Sequence, residues 1–362
     1  MTPSVDPREE PSDMTASLVL PATTIPDPAT APGLRWGVIS PGHIADQFTA
    51  TMHRATVSRV VSVVSRSAER AAAFAEKHGI ERPFDAVGDM LAAGGIDAVY
   101  IASPHAQHRD LARPVLEAGV PVLVEKAFTL NETQSRELLD LARERGVLAM
   151  EAMWSRFLPQ YDVLRQVIAE GVLGEIVEVA ADHGQAFPMD PTHRLHDPAL
   201  GGGALLDLGV YPISFAQMIL GDLTDLQVTG ECTELGVDAY AALTARGTRG
   251  GVARLATTLH AQTANTAVVT GTQGRAQLGG PQPFYAPGDL TVTLLDGRSA
   301  TVSHPADLGD GMAYEIAEAA RRISAGDLES PLMSWEDTLS VMRTMDQARA
   351  ALGVVYPGEE AA

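Results

Sequence analysis

The 362-residue chain has one cysteine, two lysines and no long uninterrupted apolar run. Cys232 alone can close no internal disulfide and build no thiolate metal cage, so the chain suits a reducing compartment. The most apolar stretch, residues 203–220, is broken by Asp207 and Pro212 and falls short of the ~18 apolar residues of a membrane helix. Near the N-terminus the apolar run 18–20 is too short for a secretory core, and Arg8 is followed by two acids. These features predict a cytoplasmic protein without membrane association. Basic charge is scarce as well: 26 Lys+Arg against 46 Asp+Glu leave a net −20, which disfavours nucleic acid and anionic surfaces as partners. With 24 arginines but only Lys77 and Lys126 as lysines, the position of each lysine is informative.

The length allows two domains. Residues 1–33 hold seven prolines, five acids and one Arg without apolar periodicity, and predict a disordered extension. From residue 34 to about 151, short β-branched runs (36–39, 60–64, 98–102, 120–124, 147–150) alternate with helical patterns (43–53, 68–78, 86–93, 105–118, 132–145). Apolar runs buried on both faces and separated by helices predict a doubly wound parallel sheet, an α/β Rossmann-type domain. Residues 152–362 read differently. A helix at 160–170, a strand at 176–182 and a His/Asp/Pro-rich loop at 187–198 precede a glycine-led helix at 203–220. Strand-like segments then follow without helices between them, predicting a large, mostly antiparallel open sheet, closed by helices at 313–325 and 335–352.

Four patterns carry chemistry. The first strand runs into Ser40-Pro-Gly-His-Ile-Ala45, which has the spacing of a dinucleotide turn with Gly42 where the backbone would meet a pyrophosphate. At the end of the second strand an NAD site would place an acid. This chain has Ser65-Arg66-Ser67 with Arg70 one turn on, a set suited to the 2′-phosphate of NADP(H), although NAD(H) stays open. Lys126 lies just beyond the carboxyl end of a buried strand, the edge where ligands of α/β sheets sit. Finally, Asp207 and Tyr211 fall at i and i+4 after Gly201-Gly202-Gly203, which puts a carboxylate and a phenol on one helix face if the segment is helical. A phenol near a cation can have its pKa lowered into use as an acid/base.

From about residue 34 to 357 the chain resembles the Gfo/Idh/MocA oxidoreductases, within them the dimeric dihydrodiol dehydrogenase and NADP-dependent D-xylose dehydrogenase branch. The resemblance rests on residues 35–44, Ser103-Pro-His-Ala-Gln-His108, Val124-Glu-Lys-Ala127, residues 150–159 and residues 201–211. It implies hydride transfer between nicotinamide and a neutral sugar or cyclic diol, and a homodimer or higher oligomer. It assigns Ser40, Gly42, His43 and Ile44 to the dinucleotide turn, Ser65, Arg66 and Arg70 to the 2′-phosphate end, and Ser103, Pro104, His105 and His108 to the nicotinamide side, with Glu125 and Lys126 at the cofactor edge. Lys126 would bind the reacting hydroxyl, Tyr211 would act as acid/base with its pKa lowered by Lys126, and Asp207 would hold substrate hydroxyls. Trp154 and Arg156 would line the substrate pocket. Ala127 departs from the family's usual Pro, which predicts a looser turn behind the lysine.

Two other classes compete. A non-catalytic NADP(H) sensor could share the fold, but keeping Lys126, Asp207 and Tyr211 together argues against it. A metal enzyme could draw on His183, His193, His196, Asp190 or Asp197, but His193-x-x-His196 is not the helical i,i+4 pair and lies among prolines, so these read as polar loop residues and no metal is expected.

Overall fold

A computed structural model describes residues 17–304 and 308–359. Six parallel strands, β1 (Arg35–Ile39), β2 (Arg59–Val64), β3 (Arg82–Phe84), β4 (Ala98–Ile101), β5 (Val122–Glu125) and β6 (Ala149–Ala152), form a sheet in the order β3-β2-β1-β4-β5-β6. The connecting helices are α1 (His43–Ala55), α2 (Ala68–His78), α3 (Val87–Ala93), α4 (His108–Glu117) and α5 (Glu132–Arg145). β4 and β5 are buried along their whole length, as the unbroken apolar runs require when helices cover both faces. α2 and α5 end on Gly79 and Gly146 at φ +67° and +66°, the left-handed stop that only glycine adopts freely. The strand order reverses direction between β1 and β4, and this places the ligand crevice at their carboxyl ends.

The chain then runs through α6 (Pro159–Ala169) into an eight-stranded sheet. Its strands are β7 (Ile176–Gly184), β8 (Leu223–Cys232), β9 (Asp238–Gly247), β10 (Val252–Thr258), β11 (Ala267–Gly271), β12 (Gly274–Leu278), β13 (Asp289–Leu294) and β14 (Ser299–Ser303). The order is β14-β13-β12-β11-β7-β10-β9-β8, antiparallel except where β10 runs parallel to β7. α7 (Val210–Leu220) packs on one face of this sheet; the other face is open. Residues 198–220 are long and apolar enough to cross a membrane, but the most apolar window is 94% buried inside the protein, so this is a core element. α8 (Met312–Ala325) and α9 (Trp335–Leu352) close the fold. α9 returns to the first sheet, where Trp335 Nε1 donates to the Ala149 carbonyl at 2.8 Å.

The expected extension behaves differently over residues 17–33. Thr23 and Thr24 side chains and the Thr24 amide donate to one oxygen of Asp162 on α6, at 3.0, 3.1 and 2.6 Å. Leu18 and Leu20 lie half-buried against the main core, and Ala31 is buried with Ala317 and Ala320 of α8. Apart from one short 3-10 turn at Pro28–Thr30 the segment is an extended strap, and its few apolar groups find a preformed surface. Residues 1–16 lie outside the described residues.

Candidate active site

β1 ends at Ile39, and Ser40 takes φ +72°, a left-handed turn unusual for a side-chain-bearing residue and common where backbone geometry serves a ligand. Its amide donates to the Val64 carbonyl at 2.9 Å, holding the turn against β2. Gly42 precedes α1, whose first-turn N–H groups face the crevice end of the sheet. A Cβ on Gly42 would meet no protein atom within 4 Å, so the space above this backbone is free for a phosphate to approach closely. His43 is exposed, Ile44 half-buried and Ala45 buried beneath the turn. Arg70 Nη2 donates to the Pro41 carbonyl at 2.8 Å, tying this turn to the end of β2. Ile39, Ser40, Ser65, Arg66 and Arg70 border a cavity of about 520 Å³, with Arg66 exposed at its rim. The donors present, an anion-binding helix end and a guanidinium, fit an adenosine 2′-phosphate dinucleotide.

The second half of the crevice is built from β5 and the glycine-led helix. Lys126 follows β5, its peptide bond to Ala127 being cis. Its Nζ donates to the Asp207 carbonyl at 2.8 Å and to Asp207 Oδ1 at 3.3 Å, and lies 5.2 Å from the Tyr211 ring centroid. Asp207 and Tyr211 do share a face, but through a π-helical turn, Leu205–Gly209, ahead of α7. Such wide turns recur at functional sites.

The glycines are required by contact. A Cβ on Gly201 would fall 2.6 Å from Leu130 and 2.9 Å from His105, on Gly202 2.6 Å from the Leu195 carbonyl, and on Gly203 2.3 Å from Asp238 Oδ1. Asp238 in turn accepts from the Leu205 amide at 2.6 Å and fixes the start of the π turn.

Burial opposes ionisation of Asp207, but Lys126 and then Arg194 beside it outweigh burial and hold its carboxyl well below the usual carboxylate range. Arg194 Nη2 lies 3.0 Å from the same Oδ1. His105 approaches that oxygen at 3.9 Å, while its Nδ1 pairs with the Gly201 carbonyl at 2.8 Å; burial depresses it to about 3, so it is neutral. His108, depressed by burial to about 4, sits between the Ser103 and Ala127 carbonyls at 2.8 and 2.9 Å and ties the segment after β4, which includes Pro104, to the lysine's loop. Glu125 is buried, pairs with Tyr100 Oη, and is pushed up by burial against the opposing pull of Lys126.

Tyr211 differs from expectation. Burial, reinforced by the charge of Glu125, pushes its phenol well above the ordinary tyrosine value. The nearby Lys126 does not offset this, because Nζ bonds Asp207 and sits over the ring instead of bonding the oxygen, and the Asp207 charge also raises the phenol. Trp154 Nε1 donates to Tyr211 Oη at 2.7 Å, and the Trp154 ring is pressed against Gly311, where a Cβ would lie 2.4 Å away. Tyr285 (ring centroid 4.8 Å) and His183 (5.3 Å) wall the other side, and burial depresses His183 to about 3.

Arg156 does not join this group. It is buried and donates to Ser214 Oγ at 2.9 Å and Gln217 Oε1 at 2.6 Å, locking the turn after β6 to α7, so its place is structural packing behind the pocket. Arg194 and Tyr285 were missed. Arg194 stood in the flagged 187–198 loop, but nothing in that loop's composition aimed it at Asp207; Tyr285 lies 74 residues after Tyr211 in a Pro/Gly segment without periodicity. In the same loop, Asp190 accepts from Thr192 and Asp197 from the Ala199 amide. Among the described residues no group of three or more His, Cys, Asp or Glu is disposed to hold a metal ion.

Residues 34–153 match the model of an oxidoreductase family with an NAD-binding Rossmann fold, and residues 161–277 match the GFO/IDH/MocA C-terminal domain. The trans-1,2-dihydrobenzene-1,2-diol dehydrogenases of Macaca fuscata fuscata and Homo sapiens are 33% and 32% identical, each over 335 residues covering 90% of this chain and 99% of the relative. Among solved structures, KijD10, a 3-ketoreductase from Actinomadura kijaniata in complex with NADP and TDP-benzene, is 29% identical with a TM-score of 0.77, covering 88% of this chain and 98% of that one. Matched across both domains and nearly end to end by these relatives, the chain belongs to the GFO/IDH/MocA family of oxidoreductases with a nicotinamide-dinucleotide-binding Rossmann domain.

Proposed function

We propose that the protein is an NADP-dependent dehydrogenase that moves hydride between the nicotinamide and the carbinol carbon of a neutral sugar or trans-diol. The observation that carries this reading is the convergence of Lys126, Asp207 and Tyr211 at the carboxyl edge of the dinucleotide-binding sheet. The names of the relatives, dihydrodiol dehydrogenases, and the NADP of the ketoreductase structure support substrate class and cofactor. Charge agrees: residues 34–150 are almost neutral, with 13 basic against 14 acidic residues, whereas residues 151–362 carry 12 against 27, a field that disfavours anionic substrates.

The cofactor, when bound, accepts or supplies the hydride. Ser40, Gly42, His43 and Ile44 would hold its pyrophosphate, and Ser65, Arg66 and Arg70 its 2′-phosphate. Ser103, Pro104, His105 and His108, with Glu125 and Lys126, would shape the nicotinamide side. In the reductive direction Lys126 hydrogen-bonds the substrate oxygen, and Tyr211, kept neutral by burial, gives it the proton while the Trp154 N–H steadies the phenol oxygen. Oxidation runs through the same atoms in reverse. Residues 34–151 would bind cofactor, and 152–362 would bind substrate and dimerise through the open sheet face, where Ala180, Ala242, Ala256 and Val268 line a shallow depression. The lone cysteine suits a cytoplasmic, reducing setting.

A panel of aldoses and trans-diols with NADP+ and NAD+ tests the reading by reduced-nicotinamide absorbance. Turnover with at least one neutral polyol and a preference for NADP+ are expected; reduction of neither cofactor by any substrate overturns it. Arg66→Ala should raise KM for NADP+ roughly 10- to 100-fold, the worth of about 1.5–3 kcal/mol for hydrogen bonds to a charged group, and leave KM for NAD+ unchanged.

A further inference from the structure

Arg194 is a charged group at the site that the mechanism above does not use. Its side chain is 46% exposed, yet its partner Asp207 is buried, with 8% of the side chain exposed. An exposed ion pair is ordinarily worth little because both side chains wander. This one cannot wander at its base. The next residue, Leu195, is fully buried in a small cluster with Ala204, Leu208 and Leu259, and its carbonyl accepts from the Gly203 amide at 2.9 Å. A Cβ on Gly202 would strike the Arg194 and Leu195 carbonyls at 2.9 and 2.6 Å, so the loop backbone lies directly against the glycine run. The guanidinium is therefore delivered from a fixed point on the same turn that aims Asp207 and Tyr211.

A guanidinium has five N–H donors in a planar fork, and Asp207 occupies one nitrogen of it. With 46% of the side chain exposed, the remaining donors are open to solvent. Lys126 and Arg194 both bond Asp207 Oδ1, at 3.3 and 3.0 Å, which keeps their donor nitrogens within about 6 Å of each other. Lys126 lies on the buried side of that oxygen, with 15% of its side chain exposed, and Arg194 on the open side. Two donors so spaced are bridged by two oxygens on adjacent carbons.

We propose that Arg194 is a specificity-determining residue: it binds the oxygen on the carbon next to the reacting one, so that the site selects vicinal diols, and sugars with a free neighbouring hydroxyl, over mono-alcohols. The assignment rests on the reading that Lys126 and Tyr211 hold the reacting oxygen. A site built to hydrogen-bond a hydroxyl rejects the analogue lacking it, because its polar group is left unpaired.

The test compares trans-cyclohexane-1,2-diol with cyclohexanol on wild type, Arg194→Leu and Arg194→Lys, by kcat/KM with NADP+ and by calorimetric binding of each alcohol to the NADPH-loaded protein. Wild type should bind and turn over the diol better than the mono-alcohol. In Arg194→Leu the diol should lose about 10- to 100-fold more than cyclohexanol loses, and Arg194→Lys should recover part of that difference. Equal losses for both alcohols would reduce Arg194 to a support for Asp207 and overturn the proposal, as would a wild type that does not prefer the diol in binding. The two readings separate cleanly. Arg194-dependent diol binding without NADPH formation sinks the dehydrogenase reading and keeps Arg194, and turnover whose diol preference survives Arg194→Leu does the reverse.

Discussion

Lys126→Met lowers kcat by about 10³-fold or more with NADP+ and the best polyol, with NADP+ affinity held within about two-fold. The substitution keeps length and apolar bulk and removes only the donor. Nζ is the group at the end of β5 that reaches across to the π turn, donating to both the Asp207 carbonyl and carboxylate. Lys126 would meet the cofactor only at its nicotinamide end, whereas the dinucleotide turn at Ser40–Gly42 and the Arg66 rim, which would hold the phosphates, lie on other strands, so most of the cofactor affinity should remain. Asp207 keeps Arg194 as a partner, which limits the cost of leaving a buried carboxylate with fewer donors. Steady-state kinetics at saturating substrate, paired with a fluorescence titration of NADPH, separates the two effects. A variant that loses turnover only because NADPH no longer binds would argue against the assigned role.

Tyr211→Phe gives the second large effect: kcat for reduction of the carbonyl substrate falls by about 10²- to 10⁴-fold, and KM changes little. The ring contacts to Tyr285 and His183 survive, so the wall keeps its shape. The proton is lost, and Trp154 Nε1 is left without its acceptor. The wild-type pH profile carries a second signature. Because burial holds the phenol well above its ordinary value near 10, the acid stays protonated through neutral and mildly alkaline pH. The reductive kcat should show no loss assignable to Tyr211 up to about pH 10, and fall only beyond it. A decline centred near neutrality would mean that another group supplies the proton.

Much of the fold was legible because parallel strands buried on both faces read as unbroken β-branched runs. The runs at 36–39, 60–64 and 98–102 became β1, β2 and β4 within a residue or so at each end. β3 was missed because three residues, Arg-Pro-Phe, are too short for any period to show, and β14 because Ser-Ala-Thr-Val-Ser is a small, polar edge strand. The strap at 17–33 was misread for a different reason. Its order comes from a surface made by α6 and α8, far along the chain, and composition cannot report such a surface.

At the site, Arg66, which lines the cavity by β2, and Lys126, Asp207 and Tyr211, which come together beside β5, stand like Gly42 on sharp local motifs and were legible as candidates. Those brought in by tertiary packing were not. Arg156 has the charge expected of a pocket residue but is consumed by Ser214 and Gln217, and Arg194 reaches Asp207 from a loop whose Leu195 is held against Gly202 and Gly203. The direction of the Tyr211 shift also depended on depth. A lysine nearby favours the phenolate, but here burial and the charges of Glu125 and Asp207 outweigh it.

The central claim is direct hydride transfer from a polyol carbon to NADP+ at the Lys126–Asp207–Tyr211 site. Its most direct test is incubation of the wild-type protein and NADP+ with a polyol deuterated at the carbinol carbon, chosen from the substrates that turn over, followed by mass analysis of the reduced cofactor. One deuterium per NADPH formed by wild type, and no NADPH above background from Lys126→Met that still binds cofactor, is the predicted result. Unlabelled NADPH, or labelled NADPH formed equally well by Lys126→Met, would contradict it.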